Sequence, residues 1–142
     1  MTDLAMTGLA MTGLAMTGRR AGLRHKLVCT PLPPVESPTM ILEIADIRIS
    51  PGSQAAFEEA ILRAANTVAS QAAGMLGWQV HRCIESPERL VLQIRWATLE
   101  DHTVGFREGP LFAQWRAIIG PFFAGPPLVQ HFSLVGQSAG FA

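Results

Sequence analysis

From Met40 onward the apolar positions fall into short runs of two periodicities. Ile41 to Ile49 is rich in β-branched residues, and its polar members, Glu43, Asp46 and Arg48, leave both faces largely apolar in the middle, which predicts a strand. Ser50-Pro51-Gly52-Ser53 supplies an N-cap, a preset φ and a turn; Phe57, Ile61, Ala64, Val68 and Ala72 then recur at helical spacing until Gly74. Leu76, Trp78, Val80, Arg82 and Ile84 alternate with Gly77, Gln79, His81 and Cys83, and Ser86-Pro87-Glu88-Arg89 turns the chain into Leu90 to Trp96, predicting a β-hairpin.

Thr98-Leu99-Glu100-Asp101 has the Thr-x-x-acid form of a capping box, so a short helix is expected through His102 and Phe106 to the Gly109-Pro110 break. A second helix restarts at Pro110 with Leu111, Trp115 and Ile118 as its buried stripe and stops at Gly120-Pro121. A last strand runs from Leu128 to Val135. The order β-α-β-β-α-β is the split βαβ, ferredoxin-like α+β pattern with an antiparallel sheet.

Helices on one face of such a sheet leave the other to Gln79, His81, Gln93, Arg95, His131 and Ser133 among Val91, Val129 and Val135. That mixture calls for a cover. In so short a chain the simplest cover is a second copy, which predicts a homodimer built sheet against sheet. His81 and His131 are expected together on this face as interface histidines; no third residue at a defined spacing accompanies them, so no metal site is expected.

The 142 residues, with 49% hydrophobic and 15% charged positions, suit one globular domain. Zero formal charge excludes a strong field for nucleic acid or an anionic membrane. Cys29 and Cys83 show no CxxC or metal-ligand spacing, and a reduced, cytoplasmic setting is expected. Residues 1–39 open on the repeat MTDLA MTGLA MTGLA MTGRR and pass through CTPLPPVESPT. Arg19, Arg20, Arg24 and Lys26 come after the weakly apolar part instead of preceding it, the wrong order for a signal peptide, and the repeat is too polar to span a membrane. It is read as a disordered leader or a mis-assigned start, ahead of a domain over 40–136 and a short tail over 137–142.

Ile94-Arg95-Trp96-Ala97-Thr98-Leu99-Glu100-Asp101-His102, then Phe106-Arg107-Glu108-Gly109-Pro110-Leu111-Phe112 and Gly125-Pro126-Pro127, resemble the antibiotic biosynthesis monooxygenase (ABM) family over nearly everything from Met40 to Val135. The resemblance implies a dimeric α+β barrel. It also implies, in the manner of several members, oxidation of a small aromatic, hydroquinone- or polyketide-like substrate by O₂ without metal, flavin or haem. O₂ is a poor electrophile toward closed-shell molecules, so such a substrate must first become an electron-rich anion. In the anthrone oxygenases of the family a Trp, a Tyr six residues later and an Arg twenty residues after the Trp line the pocket. Trp96, His102 and Arg116 match these positions: Trp96 to shape the pocket and donate through its indole, His102 as base or polar contact, Arg116 to stabilise an oxyanion. Leu92, Phe106, Phe112 and Trp115 are expected to line the substrate pocket. This chain departs from those enzymes in Leu92, where they carry an Asn, and in His102, where they carry a Tyr. For the haem-degrading branch the aligned residues are Ala45, Trp96 and Arg116; only the Trp matches, so nothing supplies the axial imidazole for haem iron and haem oxygenation is not expected, while the resemblance to the cofactor-independent members implies no cofactor.

The residues alone leave plainer roles open: packing for Trp96, a partly exposed polar residue for His102, a solvated or ion-paired helix residue for Arg116. The fold likewise suits a non-catalytic dimeric module that binds a small molecule.

Overall fold

The computed structural model describes residues 40–141; the expectations for residues 1–39, Cys29 included, lie outside them. The β-branched run becomes strand β1 (Ile41–Arg48), flanked in an antiparallel four-stranded sheet of order β2-β3-β1-β4 by β2 (Met75–Arg82), β3 (Arg89–Trp96) and β4 (Leu128–Ser133). Helices α1 (Gln54–Thr67) and α2 (Pro110–Ile119) supply the β-α-β-β-α-β order expected of a ferredoxin-like fold. Ala45 and Ile47 of β1 and Leu90, Leu92 and Ile94 of β3 bury one face of the sheet, in one core with Phe57, Ile61 and Ala64 of α1 and Trp115 and Ile119 of α2. Each large apolar side chain so removed from water contributes about 1.5–3 kcal/mol before the entropy of ordering is counted.

The helical stripe of α1 is buried as expected, but the regular helix ends at Thr67, and a 3₁₀ turn (Ala69–Gln71) carries Ala69 and Ala72 onto the core. Ser53 does not cap α1 with its side chain; its hydroxyl donates back to Ser50 O at 2.5 Å. A bulge between Met75 and Gly77 turns Leu76 out to solvent, away from the alternation expected of it. Ile84 lies beyond the end of β2 and is almost fully exposed. Cys83 is a half-buried free thiol, its S–H directed to Glu85 Oε2 at 3.3 Å.

The main correction concerns β4. Antiparallel partners share a sheet face, and the register sets Val129 opposite Ala45, His131 opposite Glu43 and Ser133 opposite Ile41. Val129, His131 and Ser133 therefore belong to the helix-covered side, not with Gln79, His81, Gln93 and Arg95, and His81 and His131 do not meet. Val135 lies past the strand and is fully exposed. The phase of a short strand is a one-residue matter, and slipping it by one exchanges its faces. The open face instead carries Leu128, Gln130 and Phe132 beside Leu42, Ile44 and Asp46, with Leu128 and Phe132 exposed. Leu134, Gln137 and Phe141 beyond β4 join Leu42, Gln93 and Arg95 around a cavity of about 270 Å³. No helix among the described residues is long and apolar enough to cross a membrane.

Candidate active site

Two local devices position the end of β3. Gly74, at φ +79°, accepts a hydrogen bond from Ala97 N–H at 2.7 Å and lies so close to Asp101 that a Cβ there would fall 2.1 Å from Asp101 Oδ2. Beside it the expected capping box forms in both directions: Thr98 N–H donates to Asp101 Oδ2 at 3.1 Å, and Asp101 N–H donates to Thr98 Oγ1 at 3.2 Å. The capping box opens into a π-helical turn (Asp101–Phe106) instead of the ordinary helix expected there, closed by Arg107 N–H donating to His102 O five residues back at 2.9 Å. The wider turn brings His102 and Phe106, four residues apart, to the same inward side, each only 3% exposed. Trp96, fully buried, stacks on His102 with ring centroids 5.2 Å apart and an interplanar angle of 22°.

This aromatic wall holds an ionisable chain. Trp96 Nε1–H donates to Glu43 Oε2 at 2.8 Å, His102 Nε2 lies 3.4 Å from Glu43 Oε1, and His102 Nδ1 lies 2.7 Å from His131 Nε2. Burial pushes the Glu43 carboxyl up from 4.5 to about 7, against the opposing pull of the Trp96 hydrogen bond and the nearby Arg107 charge. Burial, His131 and Arg107 push His102 down from 6.5 to about 4. Burial and Arg107 lower His131 as well. At neutral pH both imidazoles are thus uncharged, and Glu43 sits near its midpoint.

A cavity of about 210 Å³ opens between this cluster and α2. Leu92, His102, Phe106, Phe112, Trp115 and Arg116 all line it, so the fold brings together every expected site residue except Trp96, which sits behind Glu43. Arg107 and Arg116 reach over Phe112 at 5.7 and 5.9 Å from its ring centroid, giving the cavity a cationic rim. A wider depression of about 550 Å³ between α1 and the β2-β3 hairpin holds the Arg82–Glu58 ion pair, both partners partly exposed, and no buried acid or base. The buried ionisable groups therefore lie at the smaller cavity.

Glu43 is not among the site residues expected from the sequence, and His131 is expected elsewhere. Glu43 carries a signal all the same: it is in phase with Ala45, Ile47 and Ile49, so the alternation that buries them buries it too. His131 carries none, because its face depends on the β4 register.

Comparison with known proteins supplies the family. The family model described as antibiotic biosynthesis monooxygenase matches residues 40–118. The uncharacterized protein YczJ of Bacillus subtilis (strain 168) is 35% identical over 96 residues, covering 66% of this chain and 97% of its own. A Bordetella bronchiseptica protein, named as a candidate antibiotic biosynthesis monooxygenase, is 40% identical with a TM-score of 0.65, covering 68% of this chain and 98% of its own. SnoaB, a cofactor-independent oxygenase of Streptomyces nogalater, shares the fold at 14% identity, with a TM-score of 0.60 over 72% of this chain and 99% of its own. With its fold and more than half its length so matched, the chain belongs to the antibiotic biosynthesis monooxygenase family.

Proposed function

We propose that the chain is a cofactor-independent monooxygenase that oxidises a small aromatic, hydroquinone- or polyketide-like substrate with O₂ in the cavity between the sheet and α2. The observation that carries this reading is one largely apolar cavity with an acid at its midpoint near neutral pH on one wall and two arginines at its rim. Phe106, Phe112 and Trp115 suit a flat ring, and the cavity volume suits a small ligand more than an extended one. Loss of a proton turns a phenolic or enolic substrate into an electron-rich anion. Arg116 stabilises the oxyanion, the anion gives an electron to O₂, and the two radicals combine at carbon as a peroxide; loss of the carbon-bound proton with cleavage of the O–O bond then leaves a carbonyl and releases the second oxygen atom as water. Exclusion of water by the aromatic wall strengthens each of these electrostatic contacts. Membership of a family described by monooxygenation supports the reaction class, and the fold shared with a cofactor-independent oxygenase is consistent with it.

The open face of the sheet, with Leu128 and Phe132 exposed beside Leu42 and Ile44, is assigned to a second copy of the chain, giving a homodimer.

The test is O₂ consumption by metal-free protein against anthrones, naphthols and hydroquinones, with buffer autoxidation subtracted. Saturable uptake that Arg116→Ala abolishes while the dimer persists is the expected result. No uptake on any substrate would leave the small-molecule-binding module as the better reading.

A further inference from the structure

We propose that Glu43 takes the substrate's proton and that His102 and His131 pass it from the cavity to solvent at the edge of the sheet. The inference deepens the oxygenase reading and rests on it for the nature of the proton donor.

Glu43 is the only carboxylate in the wall of the cavity among the described residues, and it is 5% exposed. An indole N–H only donates, so the Trp96 bond commits Glu43 Oε2 as an acceptor and leaves Oε1 to face His102. His102 is 3% exposed and has a partner at each ring nitrogen, Glu43 on one side and His131 on the other. His131 is half-buried and stands on β4, an outer strand of the sheet. A 3.4 Å approach of Glu43 Oε1 to His102 Nε2 and a 2.7 Å contact of His102 Nδ1 with His131 Nε2 thus join the cavity wall to the sheet edge. The other charged groups on the wall of the same cavity are Arg107, which follows the π-helical turn, and Arg116 of α2; α1 presents it no ionisable group there.

In the forward step the substrate O–H bond breaks, its electron pair stays on the substrate as the anion, and the proton bonds to the Glu43 carboxylate. In the reset step the Glu43 O–H gives its proton to His102 Nε2, His102 Nδ1–H gives its own to His131 Nε2, and His131 Nδ1–H gives one to water. One proton leaves, Glu43 is again a carboxylate, and both imidazoles are neutral in the opposite tautomer, from which both must return to Nδ1–H before the next proton is passed. His102 is too weak a base at neutral pH to keep a proton but suits passing one on, whereas Glu43 at about 7 suits accepting it.

Imidazole ¹⁵N–¹H correlation spectra of the full chain between pH 5 and 9, without substrate, test the relay directly. The expected result is a shared tautomer switch of His102 and His131 near pH 7, from Nδ1–H to Nε2–H as Glu43 ionises. Glu43→Gln keeps its oxygen on the Trp96 donor and offers an amide N–H to His102 Nε2, so it locks His102 as the Nδ1–H tautomer and removes the switch. His131→Gln is expected to lower kcat at least tenfold with KM unchanged and to raise the solvent isotope effect. Independent titration of the two histidines, or a switch that survives in Glu43→Gln, overturns the relay whatever the uptake. Loss of all O₂ uptake with the switch intact counts against the oxygenase reading alone.

Discussion

Glu43 and Asp46 are both carboxylates on β1, yet they lie on opposite faces of the sheet and behave in opposite ways. Glu43 faces the helices, makes a hydrogen bond with an indole and no direct bond with a cation, and is raised to about 7. Asp46 faces the open side, where Arg89 grips it through Nε to Oδ1 at 3.0 Å and Nη2 to Oδ2 at 2.6 Å, and its carboxyl is held below its ordinary value. Their neighbours invert the usual rule: apolar Leu42 and Ile44 flank the buried acid on the open face. An acid buried without a paired cation is able to trade protons at neutral pH, whereas one gripped by a guanidinium stays an anion. The difference separates the face proposed to react from the face proposed to assemble.

The contrast is broken most sharply by neutralising each acid in turn. Glu43→Gln should lower substrate-dependent O₂ uptake by about 100-fold or more, the contribution of a positioned base, while Asp46→Asn leaves uptake near wild type. Equal losses in an oxygen-electrode assay would erase the distinction between the faces.

Stability against pH sharpens it next. The Glu43 value is raised above its unfolded 4.5, so its stabilising effect is complete below about 4.5 and lost as pH climbs through about 7, on the order of 3 kcal/mol in all. His102, lowered to about 4, acts the other way: its contribution is complete above about 6.5 and lost as pH falls through 4. Over the shared window the two slopes oppose, and urea midpoints of the wild type should change little. Glu43→Gln should expose the His102 slope, with stability rising from pH 4 to 6.5. A flat profile in that variant would contradict the buried pair.

Removing the indole donor comes third. Trp96→Phe leaves Glu43 Oε2 without its partner, which should cost about 1–3 kcal/mol and raise the Glu43 carboxyl above its wild-type value, read by urea denaturation and by carboxyl ¹³C titration. The smallest effect belongs to Asp46→Asn, whose ion pair is partly exposed: its urea midpoint should move less than that of Trp96→Phe at every pH.

The sequence by itself determined the element order, the core stripe of α1 and the Thr98–Asp101 capping box, because hydrophobic period, turn chemistry and caps are local properties, whereas six of the residues that line the cavity were reached only through the family resemblance. It also carried the phase that buries Glu43. Only the tertiary structure decided which face β4 turns inward, and with it the meeting of His131 and His102, since Leu128 to Ser133 mixes apolar and polar residues on both faces and takes its phase from the pairing with β1. The π-helical turn was likewise beyond local reading: its inward residues pack on Trp96, a residue of another element, with His102 stacked on the indole and Phe106 tilted against it. An isolated carboxylate becomes a proton acceptor near neutrality only when the fold takes its water away, and that removal is a property of the packed molecule.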